Sequence, residues 1–183
     1  MRSFSGAEIE RALGQCASGL RKYLWLQHHV LSCDVSADAA FQTCFNGFYR
    51  VRRGNDWRVA YYALMESSKL SGIDFSRALN EIKHRTGRVE ASFASKLVAT
   101  LDPRKPVIDK FVLRQLVLRL PYWSATDRIP QTVHLYQDLC DRYRELIQSP
   151  AGKMIQDSFD RRFPDSGLTD LKKIDLVLWQ IGR

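Results

Sequence analysis

The chain has 183 residues, of which 45% are hydrophobic and 26% are charged. This composition excludes an intrinsically disordered chain, and the length is enough to bury a hydrophobic core. No apolar run approaches the roughly 20 residues of a transmembrane helix, and the N-terminus lacks a signal-peptide pattern. We therefore expect a cytoplasmic protein that contacts no membrane.

The basic charge is concentrated in one stretch of the chain. The formal net charge is +8, and residues 50–119 hold 15 Lys and Arg against 7 Asp and Glu, while the rest is balanced. Such a confined surplus is typical of a surface that binds a polyanion, most often nucleic acid. The alternative is a helical domain whose arginines simply solvate its surface.

The four cysteines and four histidines show no metal-ligand spacing. There is no CxxC pair, and the histidines do not complete a zinc pattern with the cysteines. We expect reduced thiols, no disulfide, no metal and no other cofactor.

Helical periodicity dominates the first third of the chain. Residues 6–31 have helical apolar spacing, with Ser5 as the capping residue, and 39–48 form a second amphipathic segment. A third helix follows the turn 53–56, where Asn55 or Asp56 is expected to cap it.

The middle of the chain predicts two helices joined by a short turn. The fourth helix starts at Phe75, a break at 84–88 contains Gly87, and a fifth helix rich in small residues covers 89–101. After Pro106, Asp109 is placed to cap a sixth helix that runs to Leu120.

The C-terminal third predicts three more helices. Pro121 and Pro130 bound a loop, and helical patterns cover 132–149, 151–159 and 168–181. Since no segment alternates with period two, we expect an all-α fold. Without a linker, residues 1–183 are expected to form a single domain and a monomer.

The order of elements around residues 75–120 resembles the helix-hairpin-helix DNA glycosylase superfamily. Gly87 matches the second hairpin glycine, Ala91 matches the early helical alanine, and Asp109 follows Gly87 by 22 residues, at the place of the family's catalytic Asp. Val112 and Arg114 fall in register behind it. The resemblance implies a helix-hairpin-helix glycosylase-like fold.

The hairpin departs from the family pattern in ways that bear on activity. Arg85 and Thr86 stand where the family has its first glycine and an apolar turn residue. The lysine of bifunctional members would fall on Val89 or Glu90, so the resemblance implies an enzyme without lyase activity. Lys96 lies further along the helix, where a structural or phosphate-facing role is favoured over a nucleophile.

The chemistry of base excision gives these residues roles. Breaking the glycosidic bond develops positive charge on the sugar, which the Asp109 carboxylate would stabilise while it activates water. The alternative for Asp109 is a simple helix cap. The flipped base needs a stacking pocket, for which we predict the residues Asn46, Phe48, Tyr49 and Trp57. The alternative is that the aromatic residues here are helix core.

The predicted DNA-binding residues are basic side chains and the hairpin turn, namely Arg50, Arg52, Arg53, Arg85, Thr86, Gly87, Arg88 and Lys110. Guanidinium groups and turn N–H groups contact phosphates without reading sequence.

Three functions remain open from the sequence. The first is a monofunctional DNA glycosylase that leaves an abasic site, acting on damaged purines in repair or on hypermodified phage cytosines, such as glucosylated hydroxymethylcytosine, in antiviral defence. The second is a catalytically inactive DNA-binding helical module, in which Asp109 is only a cap. The third is an RNA binder that stacks single strands on Tyr49 or Trp57.

Overall fold

The structure, a computed structural model, describes residues 4–183. These residues form nine α-helices and contain no β-strand, which confirms the predicted all-α class. The helices are α1 (Gly6–His29), α2 (Ala39–Tyr49), α3 (Asn55–Ser67), α4 (Phe75–Thr86), α5 (Ala91–Leu101), α6 (Lys110–Gln115), α7 (Arg128–Gln148), α8 (Pro150–Arg162) and α9 (Asp170–Gly182).

Most helix starts follow the local capping signals of the sequence. Ser5 and Glu8 form a capping box at the start of α1. The Ser5 N–H donates to the Glu8 carboxylate at 3.0 Å, and the Glu8 N–H donates to the Ser5 hydroxyl at 3.3 Å. Asp38, Asp74 and Asp109 each accept a hydrogen bond from a backbone N–H in the first turn of α2, α4 and α6. A cap needs only neighbours in sequence, which is why the sequence predicted Ser5 and Asp109 at these positions.

The predicted cap of α3 is wrong. Asn55 and Asp56 lie within the first turn, and the N-cap residue is Gly54, which provides no side-chain hydrogen bond. The turn brings Gly54 into the extended conformation, with φ −64° and ψ 171°, one residue earlier than the sequence suggested. The N-terminus of α3 therefore has no side-chain cap.

The sixth helix is shorter than predicted, ending at Gln115 instead of Leu120. Val117 takes a left-handed conformation with φ 59°, and the Leu118 N–H donates to the Leu113 carbonyl at 2.8 Å. This closing pattern satisfies carbonyls of the last turn and turns the chain away from the helix axis. A β-branched residue rarely adopts this conformation, so the sequence did not signal it.

Pro130 does not bound the loop that the sequence predicted. It lies in the first turn of α7, which starts at Arg128. The first turn of a helix tolerates proline, because the N–H groups there have no partner within the helix.

The described chain divides into two compact units. One unit comprises the described residues of Met1–Ala17 together with Pro103–Arg183, and the other is Ser18–Asp102. The expectation of a single domain stays a prediction.

In the Ser18–Asp102 unit, α4 packs on both α3 and α5. The rings of Phe45, Tyr61 and Tyr62 meet in its core, where the centroid of Phe45 lies 5.9 Å from Tyr61 and 5.7 Å from Tyr62. Small buried residues of α5, including Ala94 and Ala99, leave room for a close neighbouring helix. The predicted pair of helices with a short turn between them is confirmed.

In the other unit, α9 packs against α6, α7 and α8. A Cβ at Gly182 would lie 2.8 Å from the Cβ of Phe111, so α6 and α9 approach too closely there for a larger residue. A polar group is buried in this unit. Asp175 accepts a hydrogen bond from the Tyr143 hydroxyl at 2.7 Å and pairs with the Lys172 ammonium at 2.8 Å.

Candidate nucleic-acid interface

The turn between α4 and α5 is built around one left-handed residue. Gly87 follows α4 with φ 72°, and its N–H donates to the Lys83 carbonyl at 2.8 Å. Glycine adopts this conformation without the steric cost that a Cβ imposes. The Thr86 hydroxyl donates to the Ile82 carbonyl at 2.6 Å, so this predicted DNA-binding residue already has a local partner.

An ion pair joins the hairpin turn to the loop between α2 and α3. The Arg53 guanidinium donates from Nε to Oε1 of Glu90 and from Nη2 to Oε2, both at 3.0 Å. The guanidinium carbon also lies 5.4 Å from the centroid of the Phe93 ring. The charge of Arg53 is thus compensated within the protein, and the geometry is the strong bidentate kind.

A cavity of about 420 Å³ opens where this loop meets the hairpin. We call it the arginine pocket; it is lined by Arg52, Arg53, Gly54, Asp56, Trp57, Arg85, Thr86 and Arg88. Four of these lining residues are arginines, and Asp56 is the one lining residue that carries a carboxylate.

The arginines of the pocket differ in how far their charge is compensated. Arg53 is paired with Glu90, and Arg85 is paired with Glu81 on the same helix at 3.2 Å. Arg52 and Arg88 are exposed, and neither has a carboxylate partner in the part of the chain that the structure describes. The pocket consequently carries an excess of positive charge that an external anion can neutralise.

The N-terminus of α3 adds to this field. Gly54, Asp56 and Trp57 belong to the pocket lining, and they are the N-cap and first-turn residues of a 13-residue helix. The positive end of the helix dipole favours anions, and no side chain caps this end. The Asp56 carboxylate offsets part of the effect.

Trp57 forms an aromatic wall of the pocket. Its ring stacks on Tyr61, with centroids 4.8 Å apart and planes 17° apart, and lies 4.7 Å from Phe93. The Tyr61 hydroxyl donates to the Phe93 carbonyl at 3.0 Å, and burial raises the pKa of Tyr61 well above its usual range. The indole Nε1 of Trp57 is buried and has no hydrogen-bond partner among residues 4–183. Trp57 is therefore held firmly and keeps one donor unused.

The other predicted base-pocket residues do not line the arginine pocket. The Asn46 amide oxygen accepts a hydrogen bond from the Tyr62 hydroxyl at 2.8 Å. Tyr49 is buried and packs on Phe45 and Phe48, each with centroids 4.7 Å away. Of the four predicted residues, the structure brings only Trp57 together with the arginines of this pocket.

Lys96 is buried within the same unit. Its ammonium donates to the Tyr49 carbonyl at the end of α2, at 3.2 Å, and lies 4.9 Å from the centroid of the Phe93 ring. A cation at a helix C-terminus satisfies a carbonyl and stabilises the helix dipole. The sequence left a structural and a phosphate-facing role open for this lysine, and these contacts are those of a structural residue.

Asp109 lies in the other unit, immediately before α6. Its Oδ1 accepts a hydrogen bond from the Phe111 N–H at 2.8 Å, and within residues 4–183 this is the one hydrogen bond that its carboxylate accepts. The side chain is half-buried. The pKa of Tyr143 is raised mainly by burial and by the negative charge of Asp175. The charge of Asp109 raises it further, by a smaller amount.

Three predicted DNA-binding residues do not line the arginine pocket, namely Gly87 in the hairpin turn, Lys110 and Arg50. Lys110 is exposed next to Asp109, with its ammonium 4.8 Å from the Phe111 ring centroid. Arg50 is exposed after α2 and takes the left-handed conformation with φ 54°.

Sequence reasoning missed two features that shape the pocket. The sequence marks Glu90 only as a position without the family's lysine, whereas its carboxylate anchors Arg53. No local signal marks that pairing, because 37 residues separate the two. The uncapped start of α3 was missed because Asn55 and Asp56 are themselves common capping residues.

No protein-family model matches the sequence, and no curated protein or solved structure matches it either. Among the described residues, none of the helices has the length and apolar character needed to cross a membrane. The same residues contain no group of three or more His, Cys, Asp or Glu side chains arranged to hold a metal ion.

Proposed function

We propose that the chain is a monofunctional DNA glycosylase that binds the DNA backbone through the arginine pocket and uses Asp109 as its catalytic carboxylate. The observation that carries the DNA-binding part of the proposal is the arginine pocket, in which Arg52 and Arg88 have no carboxylate partner among residues 4–183. The catalytic role proposed for Asp109 rests on the family resemblance of the sequence around it. Guanidinium groups are well suited to phosphate oxygens, since they donate in a planar fork.

The proposed chemistry needs one carboxylate and one water molecule. As the bond between base and deoxyribose breaks, positive charge grows on the sugar, and an ionised Asp109 would stabilise it. The same carboxylate would take a proton from the attacking water, so that hydroxide adds to the sugar carbon and the base leaves. Oδ1 is held by the Phe111 N–H, which fixes the orientation of the group.

A catalytically inactive DNA-binding module is the second candidate. One observation favours it: the hydrogen bond from Phe111 accounts for Asp109 as an ordinary N-cap without any catalytic role. The arginine pocket serves both candidates equally.

Base release distinguishes the two candidates. Wild type and Asp109→Asn are incubated with unmodified DNA, a panel of damaged duplexes and phage DNA with hypermodified cytosines, and free base and alkali-labile sites are scored. Asparagine also caps helices well, so this variant keeps the fold. We expect release to fall by about 100-fold or more while DNA binding persists.

The matched control is Asp74→Asn, which makes the same change at the cap of α4. It should release base at the wild-type rate. If wild type releases no base from any substrate yet binds DNA in a salt-sensitive manner, the inactive module is the correct description.

DNA binding has its own test. Removing one phosphate-binding side chain lowers the slope of log affinity against log salt by about 0.9 for duplex DNA. We expect this reduction for Arg88→Ala, and no change for Arg77→Ala, an exposed arginine of α4 outside the pocket. An unchanged slope for Arg88→Ala would remove the pocket from the DNA interface.

A further inference from the structure

The arginine pocket is larger than backbone binding alone requires. A single backbone phosphate can be held by a few donors on an open surface, whereas this cavity of about 420 Å³ falls in the range of about 300–1,000 Å³ that is typical of small-ligand sites. By volume, the pocket is therefore comparable with sites that hold small organic ligands.

The hydrogen-bond donors of the pocket suit a terminal phosphate better than an internal one. Arg53 and Arg85 are paired with Glu90 and Glu81, whereas Arg52 and Arg88 lack carboxylate partners within residues 4–183. Each of these two guanidinium groups can donate in a planar fork. A phosphate monoester presents three strong acceptor oxygens to such donors, whereas a phosphodiester has two non-bridging oxygens.

Trp57 is the aromatic residue of the pocket lining. Trp57 is fixed by its stack on Tyr61, so no ordering of the indole is needed when a ligand arrives. Stacking of a base on such a ring contributes about 1–3 kcal/mol in nucleic-acid complexes.

We propose that the arginine pocket binds a nucleoside monophosphate unit, with its terminal phosphate on Arg52 and Arg88 and its base against Trp57. The unit is the phosphorylated end of a DNA strand or a free nucleotide, which share this chemistry. In the strand-end form the inference rests on the DNA binding proposed above, because both use the same pocket.

The experiment measures the affinity of the full chain for internally labelled duplexes of one sequence that end in 5′-phosphate, 3′-phosphate or hydroxyl groups. We expect a phosphorylated end to bind at least about 10-fold more tightly than a hydroxyl end, as the loss of a charge-assisted hydrogen bond predicts. Arg52→Ala and Arg88→Ala should abolish this difference, and Arg77→Ala should keep it. Both pocket residues are exposed, so the variants should fold, which circular dichroism verifies.

Competition identifies the source of the phosphate and tests the base contact. Displacement of the phosphorylated duplex by a deoxynucleoside monophosphate at a similar concentration assigns a free nucleotide, and displacement only by phosphorylated oligonucleotides assigns a strand end. Deoxyribose 5-phosphate lacks the base and should compete at least about 10-fold less well than the corresponding nucleotide. Equal competition by the two would overturn the assignment of the base to Trp57.

Closed circular DNA separates this inference from the proposed function, because it has no ends. If wild type binds circular DNA and shows equal affinity for phosphate and hydroxyl ends, the terminal-phosphate site is wrong while DNA binding stands. If wild type fails to bind circular DNA but retains the preference for phosphorylated ends, the nucleotide site stands and the DNA-backbone role of the proposed function fails.

Discussion

The ion pair between Arg53 and Glu90 should stabilise the hairpin measurably. Exposed pairs contribute about 0.2–1 kcal/mol, whereas hydrogen bonds to charged groups contribute about 1.5–3 kcal/mol. This pair lies between those cases, because Glu90 is 12% exposed, Arg53 is 33% exposed, and both hydrogen bonds measure 3.0 Å. Allowing for solvent screening at Arg53, we expect a coupling energy of about 1–2 kcal/mol.

A double-mutant cycle isolates this energy from the other roles of the two residues. The free energy of unfolding is measured by urea denaturation for wild type, Arg53→Ala, Glu90→Gln and the double variant. The cycle subtracts the packing of Arg53 on Phe93 and the effect of charge at the start of α5, since Glu90 is also the N-cap residue there. A coupling below about 0.3 kcal/mol, within the usual error of additivity, would refute the reasoning.

The two single variants should affect DNA binding in different ways. Glu90→Gln releases the Arg53 guanidinium and should increase affinity for DNA at low salt, because the pocket gains uncompensated positive charge. Arg53→Ala removes a charge that Glu90 already neutralises and should change the salt slope less than Arg88→Ala does. Equal losses for the two arginines would show that Glu90 does not compensate Arg53.

Three further predictions concern stability and reactivity. Gly87→Ala should lower the free energy of unfolding by about 1–2 kcal/mol, because an alanine is strained at φ 72°. Gly87→Asn should lower it less. If the alanine variant were as stable as wild type in urea, the turn geometry would be contradicted. Gly152→Ala should cost about 1–3 kcal/mol, since its Cβ would collide with the backbone of Leu146, whereas a thermal midpoint equal to wild type would argue against this contact. Burial raises the pKa of Cys16 to about 12, so at pH 8 the thiol is almost entirely protonated. Mass spectrometry should therefore find Cys16 unalkylated by iodoacetamide until the protein unfolds. Labelling of Cys16 as fast as that of Cys33 would refute its burial.

The sequence by itself determined the helical class and most helix starts. The period of the apolar residues predicts helices wherever one face is buried, as with Phe41 and Phe45 in α2, which are fully buried. The cap at Asp109 was predicted for a related reason, because it joins atoms only two residues apart. Gly87 belongs to the same group, since its turn depends on its own lack of a side chain.

Local signals misled at two turns of the chain. Asn55 and Asp56 are good capping residues, yet the turn places Gly54 at the cap. Val117 is a poor residue for the left-handed conformation, yet it ends α6 there because the bond from Leu118 to Leu113 closes the last turn. In both cases the path of the following chain decided the outcome against the local preference.

Only the tertiary structure decided which charged residues act on one another. The sequence places four arginines in one basic stretch, namely Arg52, Arg53, Arg85 and Arg88. Folding brings all four to the lining of one cavity, and of these four only Arg53 forms an ion pair with Glu90. It also buries Lys96 against the end of α2. An ion pair or a pocket depends on distances between residues far apart in the chain, and those distances exist only once the helices have packed.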